Sequence, residues 1–164
     1  MTFDPIAICK AFNDEGVEYV VLGGFAALIH GSSLPTRDID VIPASSSENL
    51  ERLGRALTRL NAQIRTSGEP VPVRIDGAFL SEMPHLLNLV TDLGEVDLTF
   101  SPSGSVGGYE GWLRSSAPQE LSPGLVVRIA SLDAIIDSKR AAGRPKDKSA
   151  IPYLESLKDQ LGNQ

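Results

Sequence analysis

Cysteine is nearly absent from this 164-residue chain: Cys9 stands alone, so no disulfide framework exists and a reducing compartment is its natural home. Cys9 itself reads as a core residue. Histidine occurs only twice, which removes the histidine and thiolate clusters that zinc prefers. Long apolar runs are missing as well. No stretch approaches the ~18 apolar residues of a membrane span, and Met-Thr-Phe-Asp-Pro at the start has no basic region leading into an apolar one. The expectation is a cytoplasmic protein with no membrane partner. An excess of positive charge is lacking too. A formal charge of -6 and a pI near 4.9 exclude a nucleic-acid binder that works through its whole surface. A local basic patch is not excluded, since Lys139, Arg140, Arg144, Lys146 and Lys148 fall within ten residues.

What is present is an ordinary globular composition, 41% hydrophobic and 22% charged. The length suits one domain that buries about two thirds of its unfolded surface. Asp4 before Pro5 predicts the cap and first turn of a helix over residues 4–15, with Gly16 as its stop. Residues 17–22 form an apolar, β-branched run suited to a buried strand. After Gly23-Gly24, residues 25–29 predict a short buried helix, and 32–36 a loop. Residues 37–42 alternate charged and β-branched side chains, as a strand with one functional face would. A serine at 45, 46 or 47 caps a helix to about residue 62, with Leu50, Leu53, Leu57 and Leu60 at helical spacing. Residues 71–75, 86–90, 95–100 and 125–129 read as strands, and 101–111 as a glycine-serine loop. Ser131 caps a helix through residue 142, Gly143 and Pro145 break it, and 146–161 form the last helix. The pattern is α+β: a short mixed sheet (about 17–129) flanked by helices, then C-terminal helices (about 131–161).

The chemistry concentrates between residues 20 and 42. Gly23-Gly24 after a buried strand lets backbone amides approach a phosphate with no Cβ in the way, although glycines also close tight strand-helix turns. Asp38 and Asp40 lie at i and i+2 of a strand and therefore face the same side. Two like charges that close need a cation or a proton between them. Glu95, Asp97 and Thr99 likewise share one side of a strand, opposite Val96, Leu98 and Phe100. If that strand neighbours residues 37–42, Asp97 reaches the same ion. An all-oxygen ligand set suits Mg²⁺ or Mn²⁺, and two such ions roughly 4 Å apart activate an attacking hydroxyl and stabilise a leaving pyrophosphate.

Lys139 is a compact charge able to neutralise a triphosphate, or else a solvated helix end. Arg140 and Arg144 share a helix face if the helix runs past Gly143, and are candidate RNA contacts. Lys146 and Lys148 read as solvent-facing. Ser32 is a candidate phosphate ligand or a plain loop serine. Arg37 is a phosphate ligand or a countercharge to Asp38. His30 reads as a helix-end residue, and His85 has no supporting context. Trp112 and Tyr109 stack a base or, more in keeping with their type, anchor packing.

An apolar-Gly-Gly turn, thirteen residues, Asp-apolar-Asp-apolar and a distant strand-borne Asp resemble the DNA polymerase β-like nucleotidyltransferase superfamily. Within it, His30-Gly31-Ser32, Thr36-Arg37-Asp38-Ile39-Asp40 and the run from Lys139 to Asp147 look like nucleotidyltransferase toxins of the AbiEii and MenT type. The resemblance implies one nucleotidyltransferase domain over 1–164 that moves a nucleoside monophosphate from a nucleoside triphosphate (NTP) to an acceptor. For the toxin branch it implies the 3′ end of tRNA as acceptor, inhibition of translation, and a cognate antitoxin. Gly23 and Gly24 match the phosphate-contacting turn, Asp38, Asp40 and Asp97 the metal ligands, and Lys139 a triphosphate-holding lysine. Asp147 matches an acidic residue beside that lysine and is expected among the catalytic residues. A small-molecule, antibiotic-modifying or protein-modifying nucleotidyltransferase is the alternative.

Overall fold

The computed structural model describes residues 2–162. In chain order its elements are α1 (Pro5–Asp14), β1 (Tyr19–Leu22), α2 (Gly23–Ile29), β2 (Asp38–Pro43), α3 (Ser47–Arg59), β3 (Gln63–Ile64) and α4 (Gly77–Ser81). There follow β4 (Leu86–Thr91), β5 (Gly94–Thr99), α5 (Tyr109–Arg114), β6 (Ser116–Ser122), β7 (Leu125–Ala130), α6 (Leu132–Ala142) and α7 (Pro145–Gly162). The strands form one mixed sheet in the order β3-β4-β5-β2-β1-β7-β6.

The expected caps are in place. Asp4 accepts from the Ala7 amide at 3.0 Å, Ser46 from Asn49 at 3.2 Å, and Ser131 from Ala134 at 3.1 Å, each satisfying an otherwise orphaned donor at a helix start. Gly143 ends α6 in the left-handed conformation, where an L side chain would be strained. Leu50, Leu53, Leu57 and Leu60 are all buried, as their spacing predicts.

Three local expectations need correction. Residues 71–75 form no strand: a single bridge joins Val71 to Ile64, because Pro70 and Pro72 have no N–H to donate to a ladder. The strand that borders β4 is instead the two-residue β3. The glycine-serine loop gives way to α5 at Tyr109, and the helix expected to about residue 62 ends at Arg59, with Asn61 left-handed at φ 54°. Two further elements, α4 and β6, have no counterpart in the sequence reading.

Strand β2 holds the centre of the sheet, antiparallel to β1 and parallel to β5. Its fixing to α3 depends on Asn49, which is 1% exposed. The Asn49 side chain accepts from the Glu18 amide at 2.7 Å and donates to the carbonyls of Glu18 at 3.0 Å and Ala44 at 2.8 Å. One amide thus joins the approach to β1, the exit from β2 and the first turn of α3. Replacing Asn49 by Ala leaves three backbone groups without that partner, and a loss of about 2 kcal/mol is expected from urea unfolding. A loss below about 0.5 kcal/mol would show that water replaces the amide at no cost.

Candidate metal and nucleotide site

Strand register brings the carboxylates together. Asp38 and Asp40 project from the same face of β2, and the parallel pairing sets Asp40 opposite Asp97 and Asp38 opposite Glu95. One oxygen from each of Asp38, Asp40 and Asp97 lies within 4.8 Å of the others. Thr36 Oγ1 donates to the Asp38 backbone carbonyl at 3.0 Å and also lies 3.3 Å from Oδ1, which fixes the start of β2.

Gly23 stands directly over this cluster. It has φ +71°, and a Cβ built on it would sit 2.2 Å from Asp40 Oδ2. Glycine is therefore required both for the turn and for room beside the carboxylate. Burial, then the charge of Asp38, pushes the Asp40 carboxyl from 3.8 up to about 7, with Lys139, Lys146 and Arg144 pulling the other way. Asp97 is raised as well, by burial first, then by a hydrogen bond with Asp38 and the nearby charges, with Arg65 offsetting them.

The cluster opens into a cleft of about 830 Å³ that is also lined by Gly24, Ser32, Arg37, Lys139, Arg144 and Lys146. The basic side comes from the junction of α6 and α7. Asp147 is fully buried there, with Arg144 Nε 2.6 Å and Lys139 Nζ 3.6 Å from its carboxylate. Burial alone would raise the Asp147 carboxyl, but the Arg144 hydrogen bonds and the Arg144 and Lys139 charges outweigh it and hold it below the ordinary range. Arg140 instead pairs with Glu155 and is not among the cleft-lining residues. Lys146 and Lys148 are exposed, and Lys146 lines the cleft.

Other candidates separate clearly. Ser32 is buried, and its hydroxyl accepts from the Leu34 amide at 3.1 Å. His30 Nε2 lies 2.8 Å from the Ala130 carbonyl and so ties α2 to the end of β7. Trp112 is fully buried beneath the cleft and presents no face on which a base could stack. Tyr109 is half-buried at the start of α5, and His85 is exposed on the cleft rim. Arg65 had no place among the expected site residues. It lies just past β3 and reaches Glu95 Oε2 at 3.1 Å and Asp97 Oδ1 at 3.0 Å.

No protein-family model matches the chain, and no curated protein matches it. Solved structures do, among them the three that follow. The lincosamide antibiotic adenylyltransferase LnuA, in its lincomycin-bound form, is 16% identical with a TM-score of 0.60, covering 95% of this chain and 98% of its own. A Thermotoga maritima protein assigned as a nucleotidyltransferase is 17% identical with a TM-score of 0.53, covering 96% of this chain and 90% of its own. An antigenic nucleotidyltransferase-like protein from Paracoccidioides brasiliensis is 17% identical with a TM-score of 0.52, covering 93% of this chain and 72% of its own.

The fold is the nucleotidyltransferase fold. In this chain the three aspartates suit a hard divalent cation: all donors are oxygen, and the Gly23 cradle leaves open the space that a Cβ would fill. A carboxyl held near 7 also sets a pH dependence. Below 7 a proton takes the place of a cation, so Mg²⁺ affinity should fall by about tenfold or more per pH unit on the acid side, because Asp97 is raised together with Asp40. In EDTA the raised Asp40 carboxyl costs nothing below its unfolded value of 3.8, and its cost grows as pH rises through about 7. The thermal midpoint should therefore drop between about pH 5 and pH 8 in EDTA, and Mg²⁺ should restore it more at pH 8 than at pH 6. A Mg²⁺ shift of equal size at both values would contradict this.

Proposed function

We propose that the protein is a divalent-metal-dependent nucleotidyltransferase that transfers a nucleoside monophosphate from an NTP to a hydroxyl of a small-molecule acceptor. The observation that carries this reading is the placement of Asp38, Asp40 and Asp97 on adjacent parallel strands, under Gly23 and across a cleft from Lys139 and Arg144. The sheet and the C-terminal helices act as one unit, because one lines each side of that cleft.

In this reading Asp38, Asp40 and Asp97 hold Mg²⁺ or Mn²⁺. The bound ion supplies Lewis-acid stabilisation of charge at the α-phosphate. Gly23 and Gly24 allow close backbone approach to the phosphates, with Ser32 and Arg37 beside them. Lys139 and Arg144 neutralise the triphosphate, and Asp147, too buried to touch a substrate, holds both of them in place. Asp97 receives the acceptor's hydroxyl proton. The new acceptor O–P bond forms at the α-phosphorus as the α–β bridging O–P bond breaks, and pyrophosphate leaves. Catalysis is mostly positioning and charge neutralisation.

A small acceptor is favoured by the likeness to LnuA, a lincosamide antibiotic adenylyltransferase with lincomycin bound, which is matched over 98% of its length. Charge agrees with it. Arg140, one of the candidate RNA contacts, pairs with Glu155 and does not line the cleft, so fewer cations of the basic run face an RNA backbone there. The second reading is a cytoplasmic toxin that modifies the 3′ end of tRNA, blocks translation and is restrained by an antitoxin. Its support is Arg37 and Lys146 at the cleft, with no ion-pair partner among the described residues.

Incubation with Mg²⁺, α-labelled NTPs and either lincosamide and aminoglycoside acceptors or total tRNA tests both. Label on a small molecule is expected, with Asp40→Ala lowering the rate by at least about 10³-fold while the fold is kept. Label on tRNA alone would select the second reading, and full transfer by Asp40→Ala would overturn the site.

A further inference from the structure

Among the described residues, Arg65 is the cation in direct ion-pair contact with the carboxylate cluster. Its backbone amide donates to the Asn88 carbonyl at 3.0 Å, continuing the β3–β4 ladder by one residue. The side chain therefore starts from a fixed point on the sheet and crosses β4 to reach β5. There its two terminal nitrogens lie against Glu95 and Asp97, which share a face at i and i+2. Asp97 Oδ1 is buried, and no hydrogen bond of good geometry reaches it, so charge alone holds it 3.0 Å from Arg65 Nη2.

We propose that Arg65 is a positioning residue that withholds one oxygen of Asp97 from a bound divalent ion and so directs the ion toward Asp38 and Asp40. The proposal rests on the nucleotidyltransferase reading above. Two consequences of opposite sign follow from it. The guanidinium charge repels a divalent ion at the cluster, so its removal strengthens ion binding. The same removal frees the Asp97 carboxylate to rotate, so transfer slows. A side chain that served only to stabilise the fold would weaken both together.

Mn²⁺ titration of the nucleotide-free protein, followed by electron paramagnetic resonance, is paired with pyrophosphate release from NTP and acceptor. Arg65→Met should tighten Mn²⁺ binding on the order of tenfold, from the loss of one unit charge a few ångströms away. It should also slow pyrophosphate release by about tenfold or more. Arg65→Lys should bind Mn²⁺ like the parent protein yet remain slow, because an ammonium keeps the charge and lacks the two-pronged fork. Unchanged or weaker Mn²⁺ binding by a folded Arg65→Met protein would overturn the proposal. If Arg65→Met fails to fold, parent-like pyrophosphate release by Arg65→Lys overturns it instead. A parent protein that binds Mn²⁺ but releases no pyrophosphate defeats the functional reading, while the Mn²⁺ comparison still decides the role of Arg65.

Discussion

Three carboxylates share one end of the sheet because β2 pairs in parallel with β5 in a register that sets Asp40 opposite Asp97. Like charges at this separation, partly removed from water, destabilise one another unless a proton or a cation joins them. The fold keeps the cluster together through a rigid surround. Apolar Ile39, Val41, Val96 and Leu98 alternate with the acidic residues and are all buried, so neither strand can shift register without exposing core. Asn49 holds β2 against α3, and Thr36 holds its first residue. Strain of this kind fits a site built to receive a cation.

The opposite side of the cleft solves the reverse problem. Lys139 and Arg144 would repel one another if left facing an open cleft, and the buried Asp147 offsets that repulsion. Because Asp147 sits in the first turn of α7, the same contact fixes how α7 joins α6. Tyr153 adds a second tie, with its hydroxyl accepting from the Ser33 amide at 2.8 Å in the loop that leads to β2. The two charged surfaces thus face each other across the cleft by construction, negative on the sheet and positive on the helices. A metal-bound triphosphate has the charge pattern to bridge them.

Much of this was legible in the chain because it is local. The Asp-Ile-Asp alternation, the Glu95-Val-Asp97-Leu-Thr99 alternation and the three caps are periodicities and end signals that tertiary packing reinforces. That the strand carrying Asp97 neighbours β2 was a condition in the sequence reading, and the structure supplies it, as a parallel pairing. What could not be read depends on pairing between distant segments. Arg65 joins the cluster only because the two residues before it pair with β4. Strand β6 shows no clean alternation, since most of its residues are exposed and Pro118 interrupts its donors. Helices α4 and α5 span 5 and 6 residues, too few to show a helical period. Asp147 was visible beside Lys139, but its complete burial, which makes it a holder of cations, arises from the crossing of α7 on α6.

The central claim is that a divalent ion and a triphosphate meet between these two surfaces. Crystals grown with Mn²⁺ and a non-hydrolysable NTP analogue, measured at the manganese absorption edge, test it most directly. The account predicts anomalous density bounded by Asp38, Asp40 and Asp97, with the analogue's phosphates directed toward Lys139 and Arg144. Manganese located away from the three aspartates, or phosphates bound on the β4 side of the cleft, would contradict it.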